Sequence, residues 1–283
     1  MVIDLAHTLV RNAYRRSGMQ SRYCPLGPCS VHYYDNAHRS PRATIVLLHG
    51  LGTSSSTWVK VLPRLARDYR VVAVDLPGFG FSRLTNGKKY LTIGEQVEVF
   101  AQLVEALSLP SFRLIGQSFG GWVAARFTVR HQHQVGHLVL INNAGIYYRG
   151  VEHVKKLFIL NSLGDLRRLL DAMWYRYPWY YRPLAPFILA DMKKRRVNDI
   201  IASIEEPDFL AEELTSLRIP VSVIWGKRDR LLSEESVNTM RKIILKLDTH
   251  FLYEAGHVPQ LECPEEFMRV LSQVLERDVH GVD

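Results

Sequence analysis

From residue 43 onward the chain alternates short apolar runs rich in β-branched residues with longer amphipathic segments, and this alternation confines it to few architectures. ATIVLLH (43–49), RVVAVD (70–75), FRLIGQ (112–117), HLVLINN (137–143), PVSVIWG (220–226) and THFLYE (249–254) have the length and content of strands. Several are apolar nearly throughout, as strands covered on both faces of a parallel sheet must be. The stretches near 55–67, 92–108, 119–132, 234–246 and 264–277 read as helices. The expected class is α/β, a parallel sheet with helices on both faces. At 283 residues the chain accommodates one such domain with a modest insertion.

That insertion is visible as a break in the alternation between 146 and 216, a mostly helical stretch rich in Trp, Tyr and Leu. Pro178, Pro183 and Pro186 should keep its helices short. Its aromatics either form a small core of their own or line an acyl pocket; Trp174, Trp179 and Tyr180, with Val258 further on, are the candidate substrate-binding residues. Ahead of the alternation, Val2, Ile3, Ala6, Leu9, Val10, Ala13 and Tyr14 recur at helical spacing, so residues 1–20 are expected to hold an amphipathic helix. Its apolar side needs a partner: the protein's own body, a second copy in a homodimer, or a peripheral membrane contact. The chain thus divides into 1–20, a core of 21–145 and 217–283, and 146–216.

A net charge of +8 invites a nucleic-acid or anionic-surface reading. The basic residues are scattered, however, and the denser spots at Arg11, Arg15, Arg16 and at 193–196 lack interleaved aromatics, so no nucleic-acid partner is expected. Cys24, Cys29 and Cys263 are too few and too irregular for a disulfide framework or a zinc site, and reduced thiols are expected. The first residues match neither a signal peptide nor a membrane span, which makes the cytoplasm the default location.

The chemistry concentrates in Gly116-Gln117-Ser118-Phe119-Gly120, preceded by the strand FRLI and followed by a helical run. A serine hydroxyl becomes a useful nucleophile when a sharp strand-to-helix turn lifts it clear of the sheet and a base takes its proton. Flanking glycines make such a turn sterically feasible, and the helix that follows aims its positive end at developing negative charge. His49-Gly50-Leu51-Gly52, at the end of the first long strand, reads either as a Gly-rich turn or as a second source of backbone N–H groups for an oxyanion. Leu51 and Phe119 are the donors to name, with His49 a positioning residue. Among eleven histidines, His257 in EAGHVP directly follows the last strand and is the candidate base. His131, His133 and His137 are expected at the surface. The acid that orients the base is Asp229 in WGKRD; its rival, Asp75, precedes PGFG and looks bonded into a structural turn.

Through HGLG (49–52), DLPGFGFS (75–82), GQSFGG (116–121), WGKRD (225–229) and AGHVPQLECPEEF (255–267), in this order, the chain resembles the lid-bearing α/β-hydrolases. The resemblance covers nearly everything from Ala43 to Glu276. It implies a mostly parallel, eight-stranded sheet, a Ser-Asp-His triad and a helical lid at 146–216. Gly18-Met19-Gln20 followed by Arg22-Tyr23 is similar to the entry of the monoacylglycerol lipase branch. A serine at the elbow sets aside the dehalogenases and epoxide hydrolases, which use a carboxylate. The carbon–carbon bond hydrolases commonly carry Trp after the histidine, where this chain has Val258.

The leading expectation is a carboxylic ester hydrolase, an esterase or lipase working through an acyl-enzyme on an ester or lipid substrate, with no metal or organic cofactor. The same triad could instead cleave a carbon–carbon bond, an amide or a thioester. A binding protein on a decayed hydrolase scaffold is the reading from another class, and the complete set of Ser118, Asp229 and His257 speaks against it.

Overall fold

The structure is a computed structural model and describes residues 2–38, 41–85 and 87–277. Among the described residues nine strands form one sheet: β1 (Gln20–Leu26), β2 (Cys29–Asp35), β3 (Thr44–Leu48), β4 (Arg70–Val74), β5 (Arg83–Leu84), β6 (Phe112–Gln117), β7 (Val135–Ile141), β8 (Val221–Gly226) and β9 (Leu247–Leu252). Eight of them lie in the order β1-β2-β4-β3-β6-β7-β8-β9, and the two-residue β5 pairs with β2. Every pairing from β4 through β9 is parallel, whereas β1, β2 and β5 join antiparallel. The six apolar runs read from the sequence are the six parallel strands. The β1–β2 hairpin, turning at Gly27-Pro28, was not among them, because β1 is an edge strand with little apolar content.

Eleven helices accompany the sheet among the described residues: α1 (Val2–Arg16), α2 (Leu62–Leu65), α3 (Ile93–Ala106), α4 (Phe119–Arg130), α5 (Val151–Leu157), α6 (Leu163–Met173), α7 (Ala185–Lys194), α8 (Val197–Ala202), α9 (Glu235–Ile243), α10 (Pro259–Glu262) and α11 (Pro264–Arg277). The continuous helix expected over 55–67 is instead a 3-10 turn (Ser55–Trp58) followed by α2. Pro63 has no N–H to return to the preceding turn, so α2 starts afresh around it.

Successive strand residues feed opposite faces. Val46, Leu48, Val72, Val74, Leu114 and Leu140 pack with Phe100 of α3 and Phe127 of α4. Ile45, Leu47, Val71, Ala73, Ile115 and Val139 pack with Trp58, Leu62 and the α11 residues Phe267 and Leu271. α1 docks on this second face through Tyr14, which is fully buried, meets Tyr34 edge-on at 4.8 Å and donates its hydroxyl to the Ser55 carbonyl at 2.7 Å. Five residues earlier, Leu9 is 63% exposed. Among the described residues no helix is long and apolar enough to cross a membrane, and the three cysteines are free.

Between β7 and β8 the chain runs through α5, α6, α7 and α8, and this helical stretch is hydrogen-bonded to α4 and to the loops that follow β7 and β8. The Leu210 N–H donates to Gly145 O at 2.9 Å, while Arg126 and the Trp122 indole on α4 donate to Asp208 O at 2.7 and 3.0 Å. On its other side, the Arg230 N–H donates to Ala172 O at 3.1 Å.

Candidate active site

Ser118 stands between β6 and α4 with φ 52° and ψ −119°, a conformation L-residues rarely adopt. The turn is held by its own backbone: Ser118 N–H donates to Ile141 O at 2.9 Å, and its carbonyl accepts from Trp122 and Ala144 at 3.1 Å each. Two glycines make the bend feasible. A Cβ on Gly116 would lie 2.4 Å from Gly120 O, and one on Gly120 would lie 2.4 Å from His49 O. Gln117 and Phe119 are buried on either side, so the serine alone is presented outward.

His257 and Asp229 meet at the same sheet edge, from the loops after β9 and β8. His257 Nδ1 lies 2.8 Å from Asp229 Oδ2, with both side chains buried. The carboxylate is fixed from several directions: Oδ1 accepts the Leu231 and Leu232 N–H groups at 2.8 and 3.0 Å, and Oδ2 accepts the Asn142 amide at 2.7 Å. Asn142 Oδ1 in turn accepts the Gly226 N–H at 3.0 Å, locking the end of β8. Gly226 is required there, since a Cβ would lie 2.0 Å from Gly256 O and push the two loops apart. With Nδ1 turned to the Asp229 carboxylate, Nε2 is the ring nitrogen left for a second partner.

Three groups to which the sequence reading gave no such role hold the histidine's backbone. His257 N–H donates to Met173 O at 2.6 Å, and Gln117 donates to His257 O at 3.0 Å. Glu262 accepts the N–H groups of Gly256 and Val258 at 2.9 and 3.3 Å and that of Tyr175 at 2.7 Å. Burial pushes the Glu262 carboxyl up, against the pull of these N–H groups. None of these roles has a local sequence signal; each exists only through tertiary contact.

His49 is fully buried, Nδ1 facing Gly50 O at 2.8 Å and Nε2 accepting the Leu76 N–H at 3.0 Å. Burial lowers it to about 4, so it is neutral at pH 7 and supports the 50–53 turn that presents Leu51. Phe119 is the first residue of α4, where an N–H has no partner within the helix. Asp75 lies elsewhere, its carboxylate accepting Ser55 and Phe81 N–H groups at 2.7 and 2.9 Å. Contrary to expectation, His137 is buried: it sits on β7 with Nε2 2.9 Å from Ser222 Oγ on β8.

A pocket opens beside Ser118, lined by Leu51, Phe119, Trp122, Ile146, Tyr148, Val154, Phe158, Ile204, Phe209 and Leu231 among others. Its wall is mostly apolar, and about half of it comes from the 146–216 stretch. Burial raises the Tyr148 phenol to about 12, so it is a neutral hydroxyl in that wall. Trp174, Trp179 and Val258, expected there, are not among its lining residues. Trp174 packs edge-on against Tyr177 at 5.6 Å, Trp179 is 74% exposed, and Val258 is buried at the start of α10. The Tyr180 side chain lies outside the described residues. Among the described residues, no three His, Cys, Asp or Glu side chains are grouped to hold a metal ion.

The profile of the alpha/beta hydrolase family matches residues 45–270. The 2-hydroxy-6-oxo-2,4-heptadienoate hydrolase of Pseudomonas putida is 27% identical over 250 residues, covering 82% of this chain and 88% of that protein. Monoacylglycerol lipase ABHD6 of Homo sapiens is 25% identical over 304 residues, covering 95% and 86%. A solved membrane phospholipase A, described as a novel bacterial virulence factor, aligns with a TM-score of 0.87 at 26% identity, covering 99% of this chain and 93% of that one.

Proposed function

Because this chain belongs to the alpha/beta hydrolase family, we propose that it hydrolyses carboxylic esters, with Ser118 as nucleophile, His257 as general base and Asp229 as the acid that orients it. His257 Nε2 takes the Ser118 proton as Oγ bonds to the ester carbonyl. The Leu51 and Phe119 N–H groups receive the oxyanion, and His257 returns the proton to the departing alcohol. Water repeats the cycle on the acyl-enzyme, so no metal or organic cofactor takes part. In this reading residues 146–216 are a lid over the core of 21–145 and 217–283, and the acyl chain lies under it.

The observation that carries the proposal is the apolar pocket beside Ser118, at the sheet edge where His257 and Asp229 are bonded. A wall of Ile, Val, Phe and Leu suits a medium or long acyl chain better than a charged substrate. Carbon–carbon bond cleavage is the second reading, favoured by the Pseudomonas putida relative. Val258 after the histidine, and a pocket poor in cationic groups for a dienoate carboxylate, favour the ester.

Product analysis decides between them. Incubation with a monoacylglycerol and, separately, with a dienoic ring-fission product should release fatty acid from the first and leave the second intact. Cleavage of the dienoate alone would replace the ester reading.

A further inference from the structure

A second Ser-His-Asp arrangement lies on the β1–β2 hairpin and the loop after β4, outside the site described above. Ser21 Oγ is 2.8 Å from His32 Nε2, and His32 Nδ1 is 2.8 Å from Asp75 Oδ2. His32 and Asp75 are fully buried. Burial alone would push the Asp75 carboxyl up, but the bond from His32 and the backbone N–H groups bring it down to about 2, so it is an anion at neutral pH. An anion on Nδ1 places the ring proton there and leaves the Nε2 lone pair to accept the Ser21 hydroxyl. The ring is held by edge-on contacts with Tyr23, Tyr34 and Phe81, at 5.0, 4.7 and 5.0 Å.

Access is the other half of the argument. Among the described residues β1 has β2 as its one neighbour in the sheet, Ser21 is half-buried, and Tyr23, two residues on, is 55% exposed. Ser21 therefore lies between solvent and interior on an edge strand, while its imidazole and carboxylate partners are buried. Such an arrangement orients and polarises a serine whether or not a substrate pocket surrounds it.

We propose that Ser21 is a second activated serine, an acceptor site for small activated acyl or phosphonyl donors. With an aryl ester, Ser21 Oγ bonds to the acyl carbon as the bond to the aryloxy group breaks. The Ser21 proton passes to His32 Nε2 and then to the departing phenolate. With a fluorophosphonate, the Oγ–P bond forms, the P–F bond breaks and the proton leaves with fluoride. Each chain takes up one group at this site.

The test uses the full chain carrying Ser118→Ala, treated with excess fluorophosphonate and analysed by intact mass and peptide mapping. One adduct on Ser21 is expected. Adding His32→Gln should slow its formation by about a hundredfold, the usual contribution of a positioned base. An unmodified Ser21 after prolonged treatment, or an unchanged rate with His32→Gln, would overturn the proposal. Because His32 is buried and its replacement can disturb the fold, Ser21→Cys provides a separate measurement with the relay intact. Its alkylation by iodoacetamide at pH 7 should exceed that of Cys24, on the same strand and with its thiol pushed up by burial, by about tenfold or more. Equal rates at the two thiols would also overturn it.

Discussion

Ser118 occupies a backbone conformation that L-residues avoid, and the surrounding hydrogen bonds and glycines make that conformation the low-energy one. Replacing Ser118 by Ala should therefore leave the thermal midpoint nearly unchanged while lowering ester turnover by roughly a thousandfold or more. Steady-state rates beside a melting curve check both halves. Gly120→Ala should act on stability as well: a methyl group 2.4 Å from His49 O forces the elbow open, costing about 1–3 kcal/mol in urea unfolding. Asn142→Ala removes the donor to Asp229 Oδ2 and leaves the Gly226 N–H without its acceptor, so kcat should fall about tenfold or more with KM little changed. An unaltered kcat would show that the Leu231 and Leu232 N–H groups suffice to orient the acid. The elbow was legible in the sequence because its glycines are local requirements of one turn. Asn142 was not, because nothing in HLVLINN distinguishes a strand end from a residue that reaches across to the β8 loop.

At the scale of elements, buried parallel strands announce themselves by apolar content, and all six parallel strands, the half-buried β9 included, were read within two residues at every end. The hairpin escaped because β1 mixes polar, aromatic and proline residues on an edge, where burial does not dictate composition. The pocket wall escaped for a related reason. The aromatic richness of 146–216 was plain, but which side of each short helix faces Ser118 depends on how the stretch returns to Gly145 and Arg126. Trp174 and Tyr177 consequently pack on each other, and Ile204 and Phe209 line the pocket. Glu262 links this stretch to the histidine loop, so Glu262→Gln, which puts an NH2 donor against a backbone N–H where a carboxylate oxygen accepted it, should cost about 1–3 kcal/mol of stability. Equilibrium unfolding in urea measures it, and a neutral effect would mean that the loops hold without this bond.

For the whole molecule, buried titratable groups set the response to acid. His49 titrates at about 4 in the folded chain against an ordinary 6.5, so only the unfolded chain takes up that proton in between, and stability falls as pH drops through this range. Asp75 titrates at about 2 against an ordinary 3.8; its contribution is complete above 3.8 and is lost as pH falls toward 2. Urea midpoints should thus hold above pH 6.5 and decline below it, with a shallower decline between 6.5 and 4 for His49→Asn; an identical slope would remove His49 from the account. The pocket, the elbow and the His257–Asp229 pair converge at one sheet edge, and their joint meaning rests on ester cleavage at Ser118. The direct test is the rate of hydrolysis of p-nitrophenyl esters from acetate to palmitate by the native chain and by Ser118→Ala. The account predicts sustained turnover with an optimum at medium or long chains, lost in the variant. Turnover retained by Ser118→Ala, or none by the native chain at any length, would contradict it.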